Sequence, residues 1–319
     1  MICLTLPAGG GIIRRYRFMN TERIFNVAGL RFRLRLPASE RLWAALEEQY
    51  SPFEVPPVTG EKLLFTLSCT EDRPSMDGAE CIYDVPTEPG ETVVKLYRSA
   101  DRLFFEAAPD SHCPFTFLVR SSADFSEAEI FLNNRLVRDA VFSINNAAML
   151  LFAFAGAAEG VLELHSSVIE NRGRAYMFLG RSGTGKSTHS SLWLKHIPGS
   201  TLMNDDNPAL RVHPDGRVMV YGSPWSGKTK CYKNLEYPAG AFVQIRQSPE
   251  NKIARLKTLE AYSCLYGSVS GLKNEDARMF DFISDSMDKV ISSVPFYVLD
   301  CRPDAEAAYL CHETVASRL

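Results

Sequence analysis

The sequence predicts an α/β protein in which a smaller β-rich domain, residues 1–138, precedes a domain of mixed strands and helices, residues 139–319. The first part contains short alternating runs bounded by Pro, Gly and Asp, which are typical of strands. The second part mixes such runs with longer helical patterns, which is typical of an α/β domain. The 319-residue length is sufficient for two domains or for one large domain with a buried core.

The N-terminal part is predicted to be built mainly of strands. Its segments PSMDGAE and PTEPGE carry the turn residues of loops. No group of residues typical of a catalytic site is found in this part, so its role is not predicted. The runs that predict strands are Phe32–Leu36, Lys62–Cys69, Thr92–Arg98 and Arg102–Ala108.

The second part begins with a predicted helix from about Asp139 to Ala158. Its apolar run, 147–158, is too short to span a bilayer and indicates a buried helix. A hairpin is predicted next, with its turn at 171–174, followed by a glycine-rich loop and a helix around Thr188–Ile197. A short strand at Thr201–Met203, a hairpin at 209–222 and a strand at Ala241–Gln247 are predicted next. A helical region at Leu256–Val290, a strand at Val294–Cys301 and a final helix follow them.

The composition is that of an ordinary globular protein, with 45% hydrophobic and 23% charged residues. The formal net charge of −3 gives no global electrostatic reason to bind nucleic acid or an anionic membrane, and neither is expected as a partner. Eight cysteines are scattered without a C-x-x-C pair, which indicates neither a disulfide framework nor a zinc site. Together these features predict a cytoplasmic protein.

The glycine-rich loop has the sequence GRSGTGKS and matches the phosphate-binding pattern G-x-x-x-x-G-K-[ST]. Its glycines allow backbone N–H groups to surround phosphate oxygens, and the following helix adds its positive N-terminal end. Lys186 would reach the β- and γ-phosphates, and the Ser187 hydroxyl would bind Mg²⁺. The predicted nucleotide-binding residues are Gly180, Ser182, Gly183, Thr184, Gly185, Lys186, Ser187 and Thr188.

Two adjacent carboxylates, Asp205 and Asp206, follow a short apolar strand nineteen positions after Lys186. Such a position aims a carboxylate at a metal ion bound to nucleotide phosphates. Because side chains alternate along a strand, the two carboxylates would point in different directions. One would hold the metal and the other would act as base or orient the acceptor, and the sequence does not assign which. Alternatively, Asp-Asp-Asn-Pro is only a turn before the hairpin.

Two further residues are candidates for the same site. His165 lies on the first strand of the hairpin that leads into the loop, so the hairpin would bring it back towards the loop; alternatively, it is a structural histidine. Lys228, in the loop SPWSGKTK, would neutralise charge on a transferring phosphoryl group, or it belongs to a solvated basic loop. In the same loop, Trp225 would either stack on an adenine or cap the core.

In this order, these motifs resemble the phosphoenolpyruvate carboxykinase-like kinases, a superfamily that includes the HPr kinase/phosphorylases. GRSGTGKSTHS is similar to the carboxykinase phosphate loop, and NDD is similar to the Asp-Asp that supplies metal ligand and base in both branches. His165, fifteen residues before Gly180, stands where carboxykinases carry a metal-binding histidine. The resemblance implies a carboxykinase-like P-loop kinase domain that uses ATP with Mg²⁺, or with Mn²⁺.

Residue by residue, the resemblance implies Ser187, Asp205 and His165 as metal ligands. It implies catalytic roles for Asp205, Asp206, Lys186 and His165, to which the basic loop adds Lys228 by its own chemistry, and the relatives' tendency to assemble indicates self-association. The chain also departs from the family. Thr188 stands where HPr kinases have an acidic residue, their LEIRGLG segment is absent, and the substrate-binding arginines of true carboxykinases are not found.

The predicted function is therefore that of an HPr kinase-related enzyme that transfers a phosphoryl group from ATP to a serine-type hydroxyl of a protein or small molecule. An ATPase or GTPase switch is one alternative, although no N-K-x-D guanine signature follows the loop. A non-catalytic nucleotide-binding protein is another. The identity of the phosphoacceptor is not predicted.

Overall fold

The computed structural model describes residues 20–84, 92–133, 136–227, 229–271 and 276–316. Over these residues the protein is an α/β fold with two mixed sheets, each of nine strands. The α/β class predicted from the sequence is therefore confirmed.

The first sheet is formed by the N-terminal part of the chain. Its strands are β1 (Asn20–Val27), β2 (Leu30–Pro37), β3 (Glu54–Val55), β4 (Thr66–Thr70), β5 (Glu80–Asp84), β6 (Val93–Arg98), β7 (Arg102–Ala108), β8 (Phe117–Ser122) and β9 (Glu127–Leu132). They lie in the order β3-β1-β2-β4-β9-β8-β7-β6-β5. The central β2, β4 and β9 run parallel, and the other neighbours are antiparallel. The four strands predicted in this region are confirmed, although β4 begins at Thr66, four residues after the start of the predicted run Lys62–Cys69.

One helix in this region was not predicted. Helix α1 (Glu40–Tyr50) follows β2 and is capped by Ser39, whose hydroxyl accepts a hydrogen bond from Leu42 N at 3.4 Å. Its apolar residues Leu42 and Leu46 lie one helical turn apart and are buried. A short 3-10 helix (Ser51–Phe53) leads from it to β3.

Helix α2 (Val137–Ala157) lies where a buried helix was predicted. Among the described residues it is the one helix long and apolar enough to cross a membrane, but 72% of its apolar window is buried within the fold. Phe152 of α2 contacts Phe32 of the first sheet, and Gly156 lies against Val161 of the second. This packing is consistent with a soluble protein.

The second sheet holds the elements that surround the glycine-rich loop. Its order is β10-β14-β15-β16-β12-β11-β13, with β18 paired to β16 and β17 paired to β18. Strand β16 runs parallel to β12 and β18. The strands are β10 (Val161–Glu163), β11 (Ser166–Asn171), β12 (Arg174–Leu179), β13 (Thr201–Asp206), β14 (Ala209–Val212), β15 (Val218–Tyr221), β16 (Glu236–Gln247), β17 (Lys252–Arg255) and β18 (Phe296–Cys301).

Four helices accompany this sheet: α3 (Lys186–His196), α4 (Thr258–Tyr266), α5 (Ala277–Ser293) and α6 (Ala305–Ala316). The strands and helices predicted in this half are confirmed, except that the predicted helical region Leu256–Val290 contains two helices. Strand β17 was not predicted.

The apolar core continues from one sheet to the other. One cluster of buried side chains contains Phe32 of β2, Phe152 of α2 and Phe296 of β18. A second, smaller cluster contains Trp193 of α3 and Leu299 of β18. The packing thus joins the two parts of the chain that the sequence predicted to divide at residue 138.

Candidate active site

The glycine-rich loop, Gly180–Gly185, connects the end of β12 to the start of α3. Gly185 has a φ of 104°, and its carbonyl accepts a helical hydrogen bond from His189 N at 2.8 Å. Gly180 has a φ of 146°, and a Cβ at this position would lie 2.6 Å from Thr184 Oγ1. Both positions therefore require glycine. The loop ends at a helix N-terminus, whose positive partial charge favours an anion.

Three strand ends meet beside this loop. Strands β11 and β12 form an antiparallel hairpin in which Ser166 lies opposite Leu179, so His165 lies next to the start of the loop. Strand β13 pairs with the other edge of β11 and places Asp206 opposite Ser166. The hairpin therefore brings His165 back to the loop, as its position in the sequence predicted, and β13 adds the acid pair.

A chain of hydrogen bonds joins Lys186, His165 and Asp206. Lys186 Nζ lies 2.8 Å from His165 Nε2, and His165 Nδ1 lies 2.9 Å from Asp206 Oδ1. Because an ammonium group only donates, Nε2 accepts and Nδ1 carries the proton that is donated to Asp206. Lys186 Nζ also donates to the carbonyls of Gly180 and Arg181 at 2.9 and 3.2 Å.

Lys186 is 8% exposed, and this burial lowers the pKa of its ammonium group. The negative charges of Asp206 and Asp205 oppose the effect of burial on that pKa. A partly desolvated cation interacts more strongly with an anion than a fully solvated one does, because the local dielectric constant is low.

Asp205 points away from Asp206 and towards helix α3. Its Oδ1 accepts a hydrogen bond from the Ser187 hydroxyl at 3.0 Å, and Asp205 is buried. Adjacent ligands of an octahedral Mg²⁺ at about 2.1 Å lie about 3 Å apart, so these two oxygens fit neighbouring positions around the ion. The two carboxylates thus face different partners, as the alternation of side chains predicted.

His165 does not join the Ser187–Asp205 pair. Both of its ring nitrogens are engaged, one by Lys186 and the other by Asp206. Its predicted role as a metal ligand would require one of these contacts to break. Among the described residues, no group of three or more His, Cys, Asp or Glu side chains has the arrangement of a metal site. The remaining ligands of a Mg²⁺ ion here would have to be phosphate oxygens and water.

The backbone of Asp206 is unusual, with a φ of 127°. A non-glycine residue in this region carries a strain on the order of 1–3 kcal/mol, which the surrounding contacts must offset. Backbone pairing with Ser226 provides one such contact. Strain of this kind is typical of residues whose side-chain direction matters for function.

Glu163, on β10, was not predicted as part of the site. It is 1% exposed, and neither of its carboxylate oxygens has a hydrogen-bond partner among the described residues. Burial raises the pKa of Glu163 well above its usual value, and the charge of Asp206 raises it further. A signal was present in the sequence, since Glu163 is the one charged residue in the otherwise apolar run Val161–Leu164.

The loop SPWSGKTK, 223–230, contributes differently from the prediction. Lys228 lies outside the described residues. Lys230 forms an ion pair with Glu48 of α1 at 2.5 Å. Trp225 is buried in the apolar core, so its predicted alternative as a cap of the core is correct and an adenine-stacking role is excluded.

A cavity of about 630 Å³ adjoins the loop and the first turns of α3. Gly183, Thr184, Gly185 and Thr188 line it, and Leu192, Ile245, Pro249 and Arg302 are among the residues of its other walls. Gln247 Nε2 donates to Gly183 O at 3.2 Å and fixes the loop against β16. The volume lies within the range typical of small-molecule sites. Ser182 is exposed on the loop itself.

Comparison with known proteins assigns the sequence to no family. No protein-family model matches the sequence, and no curated protein sequence matches it.

Proposed function

We propose that this protein is a kinase of the carboxykinase-like P-loop type, which transfers a phosphoryl group from ATP to a serine-type hydroxyl. The observation that carries the proposal is the meeting of Lys186, His165, Asp206 and the Ser187–Asp205 pair at one end of the β11–β12 hairpin. Phosphoryl transfer needs a cation for the phosphates, a metal-binding carboxylate and a second carboxylate for the acceptor. All three are available beside one loop.

Lys186 would bind the β- and γ-phosphate oxygens of ATP by exchanging its bonds to the loop carbonyls for bonds to phosphate. Ser187 and Asp205 would hold Mg²⁺, and the bound ion would neutralise part of the negative charge of the phosphates. The exchange leaves Lys186 close to His165, so the ammonium group stays positioned while its other donors turn to the nucleotide.

Asp206 would accept the proton of the acceptor hydroxyl. One of its oxygens accepts the bond from His165 Nδ1, which orients the carboxylate. The other oxygen would be directed at the acceptor. This division of labour, with Asp205 on the metal and Asp206 on the acceptor, follows from the different partners of the two side chains.

The nucleoside of ATP would occupy the cavity of about 630 Å³. Thr184, Gly185 and Thr188 lie on its near wall, so a triphosphate that starts in the loop would lead directly into it. Leu192 and Ile245 supply apolar surface for a base. The walls of this cavity would then decide the selectivity between ATP and GTP.

The proposal is tested by transfer of label from γ-labelled ATP to candidate protein and small-molecule acceptors. Lys186→Ala, Asp205→Ala and Asp206→Ala should each abolish transfer while the far-ultraviolet circular dichroism stays native. Lys195→Ala is the matched control, because Lys195 is an exposed lysine on the same helix. Unchanged transfer by the Lys186→Ala or either aspartate variant would end the assignment.

Two other outcomes separate the alternatives. Tight ATP binding without turnover on any acceptor would indicate a nucleotide sensor. Hydrolysis of ATP whose rate is not reduced by any added acceptor would indicate an ATPase switch.

A further inference from the structure

The loop that follows β15 connects the candidate active site to the N-terminal part of the chain. Three contacts reach α1 and the 3-10 helix: Trp225 Nε1 donates to Tyr50 Oη at 3.3 Å, Lys230 pairs with Glu48, and Asn234 Nδ2 donates to Pro52 O at 3.0 Å. These contacts join residues more than 170 positions apart in the sequence.

Trp225 is the most deeply inserted of these side chains. Its ring centroid lies 5.2 Å from that of Phe152 on α2 and 6.2 Å from that of Phe32 on β2. Tyr50, which accepts its indole hydrogen bond, is itself buried against Phe25. A tryptophan fixed on several sides in this way has little freedom to move, because protein cores are close-packed.

The residues directly after Trp225 contact the two acids. Ser226 Oγ donates to Asp205 O at 3.0 Å, and Gly227 N donates to the same carbonyl at 2.7 Å. Gly227 also packs against the side chain of Asp206 so closely that a Cβ would lie 2.8 Å from Oδ2 and 3.0 Å from Cγ. The loop backbone thus forms one wall of the Asp206 carboxylate.

Asn204 and Ser223 connect the insertion to the strand that carries the acids. Asn204 Nδ2 donates to Ser223 Oγ at 3.2 Å and to Trp225 O at 3.4 Å. The side chains of Asn204 and Ser223 are fully buried. Ser223 Oγ in turn accepts from Trp225 N at 3.2 Å. A displacement of Trp225 would therefore be transmitted to β13 immediately before Asp205.

We propose that Trp225 and Gly227 are positioning residues, through which the N-terminal sheet and α1 hold Asp206 in its strained backbone conformation and in contact with His165. Through these contacts the N-terminal part of the protein then has a role in the reaction. The part of the proposal that concerns catalysis rests on the proposed phosphoryl transfer. The part that concerns the position of Asp206 does not.

Gly227→Ala tests the wall directly and Trp225→Phe tests the insertion. Both variants should lower kcat for phosphoryl transfer by about tenfold or more, because small displacements of a reacting group are costly. The KM for ATP should change by less than about twofold, since the loop at 180–185 is not disturbed. Phe154→Leu is the matched control, because Phe154 is equally buried in α2 but contacts Phe105 and Phe125 instead.

A second readout does not depend on activity. The ring ¹⁵N signals of His165, assigned by their absence in His165→Asn, report its hydrogen bond to Asp206. They should shift in Gly227→Ala and Trp225→Phe and stay in place in Phe154→Leu. If they do not shift in either loop variant, the positioning role is wrong whatever the activity. If they shift while the unaltered protein transfers no phosphoryl group, the positioning role holds and the proposed kinase function fails.

Discussion

The two parts of the chain, each with its own sheet, differ in the charged and imidazole side chains that they bury. Among the described residues, the N-terminal part buries one, Glu106, whose carboxylate accepts a hydrogen bond from Tyr97 at 2.8 Å. The second part buries four: Glu163, Lys186, His189 and Asp205. Burial of such groups is costly unless they are paired, and perturbed groups of this kind tend to cluster at functional sites, so their number in the second part supports the candidate site there.

The difference teaches that similar sheet size does not imply similar roles. The first sheet meets its structural needs with apolar contacts, and its salt bridges lie at partly or fully exposed side chains such as the Arg23–Glu47 pair. In the second part the four groups lie on β10 (Glu163), α3 (Lys186 and His189) and β13 (Asp205). We therefore regard the first sheet as a framework and the second as the carrier of the site.

The largest effect that would sharpen this comparison is expected from Asp205→Asn. Loss of the charge next to Ser187 should lower the rate of phosphoryl transfer by about 10²–10³-fold, with the shape of the side chain kept. Glu106→Gln is the matched change in the first sheet and should leave the rate unaltered. Single-turnover transfer with γ-labelled ATP measures both. An equal loss in the two variants would remove the functional distinction between the sheets.

The next largest effect concerns His189, whose pKa is lowered to about 4 by burial. The unfolded chain therefore binds a proton at higher pH than the folded protein does, so stability is present above about pH 6.5 and is lost as the pH falls towards 4. The loss is on the order of 3 kcal/mol.

His189→Gln should remove this part of the acid sensitivity while keeping an acceptor for the Trp193 indole, which now donates to His189 Nε2 at 3.1 Å. Urea unfolding at pH 4.5 and pH 7 provides the measurement. If the two proteins lose the same free energy of unfolding between these pH values, burial of the His189 imidazole does not cause the acid-dependent loss of stability.

A smaller effect is expected from Glu163→Gln. The raised pKa of Glu163 means that the folded protein holds a proton which the unfolded chain releases above about pH 4.5. The stability of the wild-type protein should therefore fall as pH rises from that value, and the variant should not share this fall. Thermal unfolding at pH 5 and pH 8 checks the difference. A difference between the two proteins that does not change with pH would contradict it.

The smallest effect is expected from Lys230→Ala. Its ion pair with Glu48 is exposed, so the melting temperature should not change measurably. Transfer should also be unaffected, because the structure places Lys230 against α1. A clear fall in transfer would instead mean that Lys230 reaches the phosphates, and the loop would then belong to the site more than to the framework.

Local patterns were sufficient to predict much of the fold. The hairpin into the loop, the strand with the two acids and the helix that begins at Lys186 are all signalled by residues close together in the sequence. Helix α1 was missed although Ser39 and the spacing of Leu42 and Leu46 indicate it, because the surrounding strand-like runs dominated the interpretation.

Long-range contacts could not be predicted from one sequence. The insertion of Trp225 beside Tyr50 depends on how two distant segments pack. The contact of His165 with Asp206 and the separate contact of Ser187 with Asp205 each depend on how distant segments are brought together. Glu163 is the one charged residue in its apolar run, but its burial and its lack of hydrogen-bond partners among the described residues become visible only in three dimensions.

The β11–β12 hairpin fixes the position of His165 relative to the glycine-rich loop. Its turn is short, with positive φ at Arg172 and Gly173, as in a type I′ connection. Because the strands are paired from Ser166 with Leu179 up to that turn, a residue added to one strand must be matched in the other. Unless a β-bulge absorbs the change, the fifteen-residue separation of His165 and Gly180 changes only in steps of two, and a single insertion would disturb the register that keeps His165 beside Lys186.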